Sequence, residues 1–131
     1  SRREGDVVRG DFTSAGGYQA MKTLLARPVR PSAVFVCNDL MAFGALAAVR
    51  EAGIRVPEQI SIVGFDDIEL AAFSAPPLTT VAQPKLQIGT LAAEMLLERV
   101  KTGRREARRV ILEPQLKVRG STAIHQPRKA S

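Results

Sequence analysis

The sequence predicts an α/β domain built on a parallel sheet with flanking helices, and three observations predict it. Four short apolar, β-branched runs read as strands covered on both faces. Stretches with helical spacing separate most of them, and strand, helix, strand, helix, strand is the order of a sheet with crossover helices. The chain has 131 residues, of which 45% are apolar, so it can bury a sizeable core, and its composition excludes an intrinsically disordered chain.

The first strand is read at Val7-Val8-Arg9. Thr13 or Ser14 then caps a helix that turns Tyr18, Met21, Leu24 and Leu25 inward, and Pro28 stops it. Residues 33–37, Ala-Val-Phe-Val-Cys, form the second strand. Asn38 or Asp39 caps the second helix, which carries Met41, Ala45, Ala48 and Val49 at helical spacing and ends at Gly53 in a left-handed turn. Residues 60–65 and 79–82 are the next two strands, with the turn-rich Ser74-Ala75-Pro76-Pro77 between them. A longer helix enters at Pro84, marked by Leu91, Ala92, Met95, Leu96 and Val100, and ends at Gly103. Val110-Ile111-Leu112, resumed after Pro114 by Leu116 and Val118, reads as an edge strand with a break, because proline cannot donate to a ladder. The tail, residues 123–131, lacks the apolar surface to order itself. A series that starts at a short strand behind a charged stub makes a poorly covered sheet, so a fragment of a larger unit is expected.

Composition excludes several functions. The longest apolar run falls short of the roughly 18 residues of a membrane-spanning helix, and Ser1-Arg2-Arg3-Glu4-Gly5-Asp6 has no signal-peptide core, so a soluble chain away from membranes is expected. One cysteine, Cys37, rules out an intrachain disulfide framework and suits a reducing compartment. With only His125 beside it, no Cys/His metal cluster forms, and neither metal nor cofactor is expected. The net charge of +6 raises a nucleic-acid surface, but residues 98–131 hold 10 of the 19 basic and 3 of the 13 acidic side chains. Within that excess, Arg104, Arg105, Arg108 and Arg109 have no interleaved aromatics and read as a solvated connection.

Catalysis finds no support. The chain has no G-x-S-x-G elbow, no Walker loop and no G-x-G-x-x-G fingerprint. Adjacent Asp66 and Asp67 suggest the acidic pair of a phosphoacceptor domain, but that chemistry needs a later aspartate, and Asp67 is the last. His125 reads as a solvated tail residue, and Cys37 as a small core residue.

Open parallel sheets bind ligands beyond the carboxyl ends of their strands. Asp11 and Phe12 follow the first strand, Asn38 and Asp39 the second, Asp66 and Asp67 the third, and Gln83 the fourth. Carboxylates, amides and one aromatic ring on one rim suit a polyhydroxylated ligand, since the polar groups bond hydroxyls and the ring packs on a sugar or base face. Each residue also has a plainer role: cap for Asn38 or Asp39, solvated turn for Asp66-Asp67, core for Phe12, loop for Gln83.

Three runs lie in order: Val34 to Leu46 (VFVCNDLMAFGAL), Gly53 to Asp67 (GIRVPEQISIVGFDD) and Pro76 to Pro84 (PPLTTVAQP). With the closing Val118-Arg119-Gly120-Ser121-Thr122, they resemble the C-terminal part of the effector-binding region of lactose/galactose-repressor (LacI/GalR) transcription regulators, over about residues 9–122.

The resemblance implies a periplasmic-binding-protein-like fold of two α/β subdomains with the effector between them. Residues 6–83 and 108–122 then belong to the C-terminal subdomain, and the helix of residues 84–103 crosses to the N-terminal one, most of which this sequence lacks. Phe12, Asn38, Asp66 and Gln83 match effector-contacting positions, whereas the arginine that the family brings from upstream is not in this chain. At Lys85 the chain departs from an aromatic wall of relatives. Phe43, Ala71 and Ser74 match the side where members dimerise, an exposed Phe beside small residues suiting a twofold contact. The implied function is allosteric: a sugar or nucleobase-like effector biases the subdomains of a cytoplasmic homodimer, which controls operator DNA through an N-terminal helix-turn-helix absent here. A periplasmic sugar-binding protein for transport shares the fold and is the alternative; a small α/β enzyme is the third reading.

Overall fold

The computed structural model describes residues 7–124. In chain order they form α1 (Ser14–Leu25), β1 (Ala33–Phe35), α2 (Asp39–Glu51), β2 (Ser61–Asp66), a 3-10 turn (Glu69–Ala72), β3 (Thr79–Ala82), α3 (Lys85–Thr102) and β4 (Gln115–Lys117). The sheet order is β1-β2-β3-β4, with parallel pairs except for β4, which runs antiparallel to β3. The expected parallel sheet with flanking helices is present, and its edge strand β4, whose direction the sequence left open, makes it mixed. The antiparallel member is an edge strand, where such reversals are common.

The helices begin where cap chemistry places them. Thr13 takes an extended conformation and its Oγ1 accepts the Gly16 amide, while Asn38 does the same for Met41 through Oδ1. Both ambiguities thus resolve toward the first residue of each pair. Met21, Leu24 and Leu25 of α1 are buried, as are Met41, Ala45, Ala48 and Val49 of α2; Tyr18 is half-buried. The two helices pack together because they touch through glycines. A Cβ at Gly17 would overlap the Met41 backbone, and one at Gly44 the Ser14 carbonyl. Gly53 follows α2 with φ 68, as the sequence predicts.

β2 is the middle of the core. Ile62 and Gly64 face the helices and are buried, whereas Ser61, Val63 and Phe65 alternate to the other face. Met21, Ile60, Ile62 and Leu78 sit at 2% exposure or less. Full burial is worth about 1.5–3 kcal/mol for each such side chain. On the far face Phe35 meets Phe65 edge-to-face, with ring centroids 6.4 Å apart.

The edges depart from expectation. Residues 7–9 form no strand: only Val8 reaches the core, and one inward side chain gains little from pairing with a three-residue edge. β1 ends at Phe35 and is not covered on both faces, since Phe35 is 59% exposed. Val110-Ile111-Leu112 is not a strand either. Val110 and Leu112 line a groove with Ile88, Leu91 and Met95 of α3, and the ladder starts only after Pro114. α3 has the expected span and ends on left-handed Gly103, but none of its residues is buried. The tail from His125 onward lies outside the described residues, as does Asp6.

Candidate functional site

Two turns and two side-chain pairs build the rim at the carboxyl ends of β1, β2 and β3. In the first turn, Asp11 Oδ1 accepts the Thr13 hydroxyl at 2.7 Å and the Thr13 amide at 3.0 Å. Those two bonds, the hydroxyl first, hold the Asp11 carboxyl below its ordinary value of 3.8. Phe12, between them, sits in the left-handed region at φ 63 with its side chain 65% exposed. Asn38, the N-cap of α2, secures this turn, its Nδ2 donating to the Phe12 carbonyl at 3.0 Å while its Oδ1 accepts the Met41 amide. One amide thus serves both readings the sequence left open.

The second turn follows β2. Asp66 has φ 114 and Asp67 φ 50, and Asp66 Oδ1 accepts from Gln83 Nε2 at 2.7 Å. Asp67 is held from two sides: Arg119 Nη2 donates to its carboxylate at 2.7 Å, and Lys85 Nζ to its carbonyl at 3.3 Å. Phe12, Asp66 and Asp67 are the non-glycine residues with positive φ among the described residues. Such conformations cost on the order of 1–3 kcal/mol each and concentrate at functional sites.

The structure therefore brings the four predicted rim residues together as two bonded pairs, Phe12 with Asn38 and Asp66 with Gln83. Among the described bonds, Asp66 Oδ2 and Gln83 Oε1 keep acceptor capacity for a ligand. The sequence reading put Asp39 on the rim or at the cap, whereas it is fully buried, and it did not single out Thr80, which bonds it. A signal existed: two threonines on a buried strand demand partners. Cys37 corrects the reading that made it a core residue, because it lies exposed beyond the end of β1. Among the described residues no three His, Cys, Asp or Glu side chains converge to hold a metal ion. Arg104 and Arg108 turn back onto Glu98, and the Arg104 Nε is buried rather than solvated.

α2 and the 3-10 turn with the residues that follow it form a second surface. Phe43, Leu46, Leu70, Phe73 and Ser74 line an open groove of about 260 Å³, with Leu70 61% and Phe73 77% exposed. Of the three residues expected at a dimer contact, Phe43 is half-buried and Ser74 Oγ bonds the Ala71 and Pro76 carbonyls. Ala71 has no exposed surface to offer a partner, because it packs into the chain's own core.

This fold, a parallel sheet with an antiparallel edge strand and polar residues gathered at the carboxyl ends of its strands, is that of a periplasmic-binding-protein-like domain. The chain belongs to the periplasmic binding protein-like domain family, whose sequence pattern matches residues 2–122. It is 47% identical to the ribose operon repressor of Escherichia coli over 118 residues, which cover 90% of this chain and 36% of the repressor. A LacI family transcriptional regulator from Enterococcus faecalis with bound ribose superposes with TM-score 0.83 at 36% identity, covering 91% of this chain and 44% of that one. The lac repressor dimer bound to operator and the anti-inducer ONPF superposes with TM-score 0.80 at 35% identity, covering 88% and 41%. The chain thus spans about a third of the curated repressor. Among the described residues no helix is long and apolar enough to cross a membrane.

Proposed function

We propose that this chain is the C-terminal part of the effector-binding and dimerisation region of a LacI-type transcriptional regulator, sensing a sugar or similar small polar metabolite. The observation that carries the reading is the concentration of left-handed residues at two rim turns, which present Phe12 and Asp66 beside Asn38 and Gln83. Asp66 accepts effector hydroxyls as a charge-assisted acceptor, Asn38 and Gln83 complete the polar set, and the exposed Phe12 ring packs against the apolar face of the ring. Relatives named for ribose make a pentose the first ligand to try, with a free purine base as the nucleobase arm.

Residues 6–83 and 108–122 form one subdomain on this reading, and α3 within residues 84–103 crosses to the other. An α3 without a buried residue supports that, since its apolar side chains need a further layer. The groove around Phe43, Leu70 and Phe73 is the homodimer contact, with Ser74 at its margin. The protein acts in the cytoplasm, without catalysis: effector binding favours one arrangement of the subdomains and so alters operator binding through a separate DNA-binding segment. The relatives above are regulators, which supports this reading over the transport one.

The test is calorimetry on the full-length protein. Asp66→Asn keeps the acceptor for Gln83 but removes the charge, so ribose affinity should fall by about 1–2 kcal/mol, roughly 5- to 30-fold, at unchanged melting temperature. Asn38→Asp, which keeps the cap but loses the Nδ2 donor, should weaken binding as well. Wild-type affinity for every ligand tried in both variants refutes the pocket.

A further inference from the structure

Asp39 is a carboxylate with no exposed surface, in the first turn of α2. A carboxyl group is not kept in a core without hydrogen bonds that repay its desolvation. Its Oδ1 accepts the Thr80 hydroxyl at 2.6 Å, and its Oδ2 accepts the Ile68 amide at 2.9 Å. The Thr80 oxygen in turn accepts the Asp67 amide at 3.4 Å. Two consecutive amides directly after Asp66 are therefore anchored, one straight and one through Thr80, to a single buried carboxylate. Space for that carboxylate exists because residue 64 is glycine; a Cβ there would overlap Asp39 Oδ1.

Asp66 itself needs such an anchor. Its φ of 114, followed by 50 at Asp67, is backbone that side-chain-bearing residues rarely hold unless their surroundings fix it. The ladder reaches Asp66, which pairs with Ala82, but ends there, so it leaves Asp67 and Ile68 to be held by other groups.

We propose that Asp39, acting with Thr80, is a positioning residue that locks the strained Asp66-Asp67 turn and so aims the Asp66 carboxylate at the effector. The role rests on the pocket reading above. It also joins the two halves of the rim, because Asn38 on one side of the α2 entrance holds Phe12 and Asp39 on the other holds the Asp66 turn. Asp39 touches no effector. It acts through backbone, as supporting groups do at other preorganised sites.

The test uses an isosteric pair in the full-length protein, with ribose as the probe. Thr80→Val keeps the shape and removes the hydroxyl, and it should weaken ribose binding by about 10- to 100-fold, the range lost with such supports elsewhere. Thr80→Ser should restore it. Leu25→Ala, a core truncation in α1 that lowers stability without touching the turn, should leave affinity at the wild-type value. A ligand-free readout runs beside it: the Gln83 side-chain amide resonances should shift in Thr80→Val and Asp39→Ala, return in Thr80→Ser, and stay in place in Leu25→Ala. Unmoved Gln83 resonances in Thr80→Val overturn the proposal whichever ligand the protein takes. Normal ribose binding by Thr80→Val, with Asp66→Asn weakened, overturns positioning and leaves the pocket standing. If Asp66→Asn also binds normally, the pocket fails and the proposal with it.

Discussion

Removing one oxygen atom at Ser121 should destabilise the protein by about 3 kcal/mol. Ser121 has no exposed surface, and its Oγ bridges two strands: it accepts the Thr79 amide at 2.8 Å and donates to the Ile62 carbonyl at 2.6 Å. Ser121→Ala leaves the Thr79 N–H without its partner at a residue only 2% exposed, and an unmet buried donor costs about 1–3 kcal/mol. The Ile62 carbonyl, at a residue of 0% exposure, loses a bond too, worth about 1 kcal/mol because its second lone pair is unaffected. The vacated space is about one oxygen, too small for a bridging water. Against a typical total of about 5–15 kcal/mol this is a large share. Urea unfolding should be followed by far-UV circular dichroism, because the chain has no tryptophan to report by fluorescence. The midpoint should drop at unchanged slope, whereas Ser32→Ala, at an exposed position, should stay within about 0.5 kcal/mol of wild type. A loss below about 1 kcal/mol for Ser121→Ala would mean that Thr79 finds another acceptor, and the hydroxyl bridge would not be what starts β3.

Two further predictions concern the rim and the groove. Asp11 has its folded pKa depressed by the Thr13 hydroxyl and amide, so its stabilising contribution is present above the ordinary value of 3.8 and is lost as pH falls through the lower folded value; acid unfolding of Asp11→Asn should show a shallower dependence on pH than wild type in that window, and identical acid limbs would contradict the assignment. Phe73→Lys, which places a charge on the most exposed ring of the groove, should move the full-length protein toward monomer in sedimentation velocity, and an unchanged dimer at the same concentrations would place the contact elsewhere.

The parts of the fold legible in the sequence are those set by local rules. Asn38 and Thr13 announce their helices through cap chemistry, and β2 and β3 stand out as β-branched runs because neighbours on both sides make every second residue inward. Edges obey no such rule. Residues 7–9 and 110–112 have the composition of strands, yet a ladder needs a partner of matching length and an unbroken row of donors, and neither can be read from the segment itself. Helical periodicity placed α3 within one residue of its ends but said nothing about what would cover it.

The site divides the same way. Asn38, Asp66 and Gln83 were legible as candidates because strand order alone puts the residues after each strand on one rim, whereas Phe12 follows residues 7–9, which form no strand. The left-handed backbone at Phe12 and Asp66 was not, since no residue type marks it there. Asp39 was the harder case. Next to Asn38 it reads as a second cap, and its burial depends on Gly64 and Thr80, which come from two other strands and meet it only in the folded chain.

On the proposed function, the contacts around Asp67 say where an effector's pull must go. Arg119, two residues beyond β4, grips the Asp67 carboxylate and the Leu78 carbonyl, and Lys85, the first residue of α3, grips the Asp67 carbonyl. Gln83, bonded to Asp66, lies two residues before α3 begins. The turn that presents the proposed ligand-binding carboxylate is thus tied to the start of α3, where the proposed crossing begins, and to Arg119 beyond β4 in the same subdomain. A ligand with equal contacts in both arrangements of the subdomains would shift nothing. One that bonds Asp66 loads a turn two of whose partners, Gln83 and Lys85, lie at that crossing, so its affinity depends on how they are set. By linkage, their setting then depends on the ligand to the same degree.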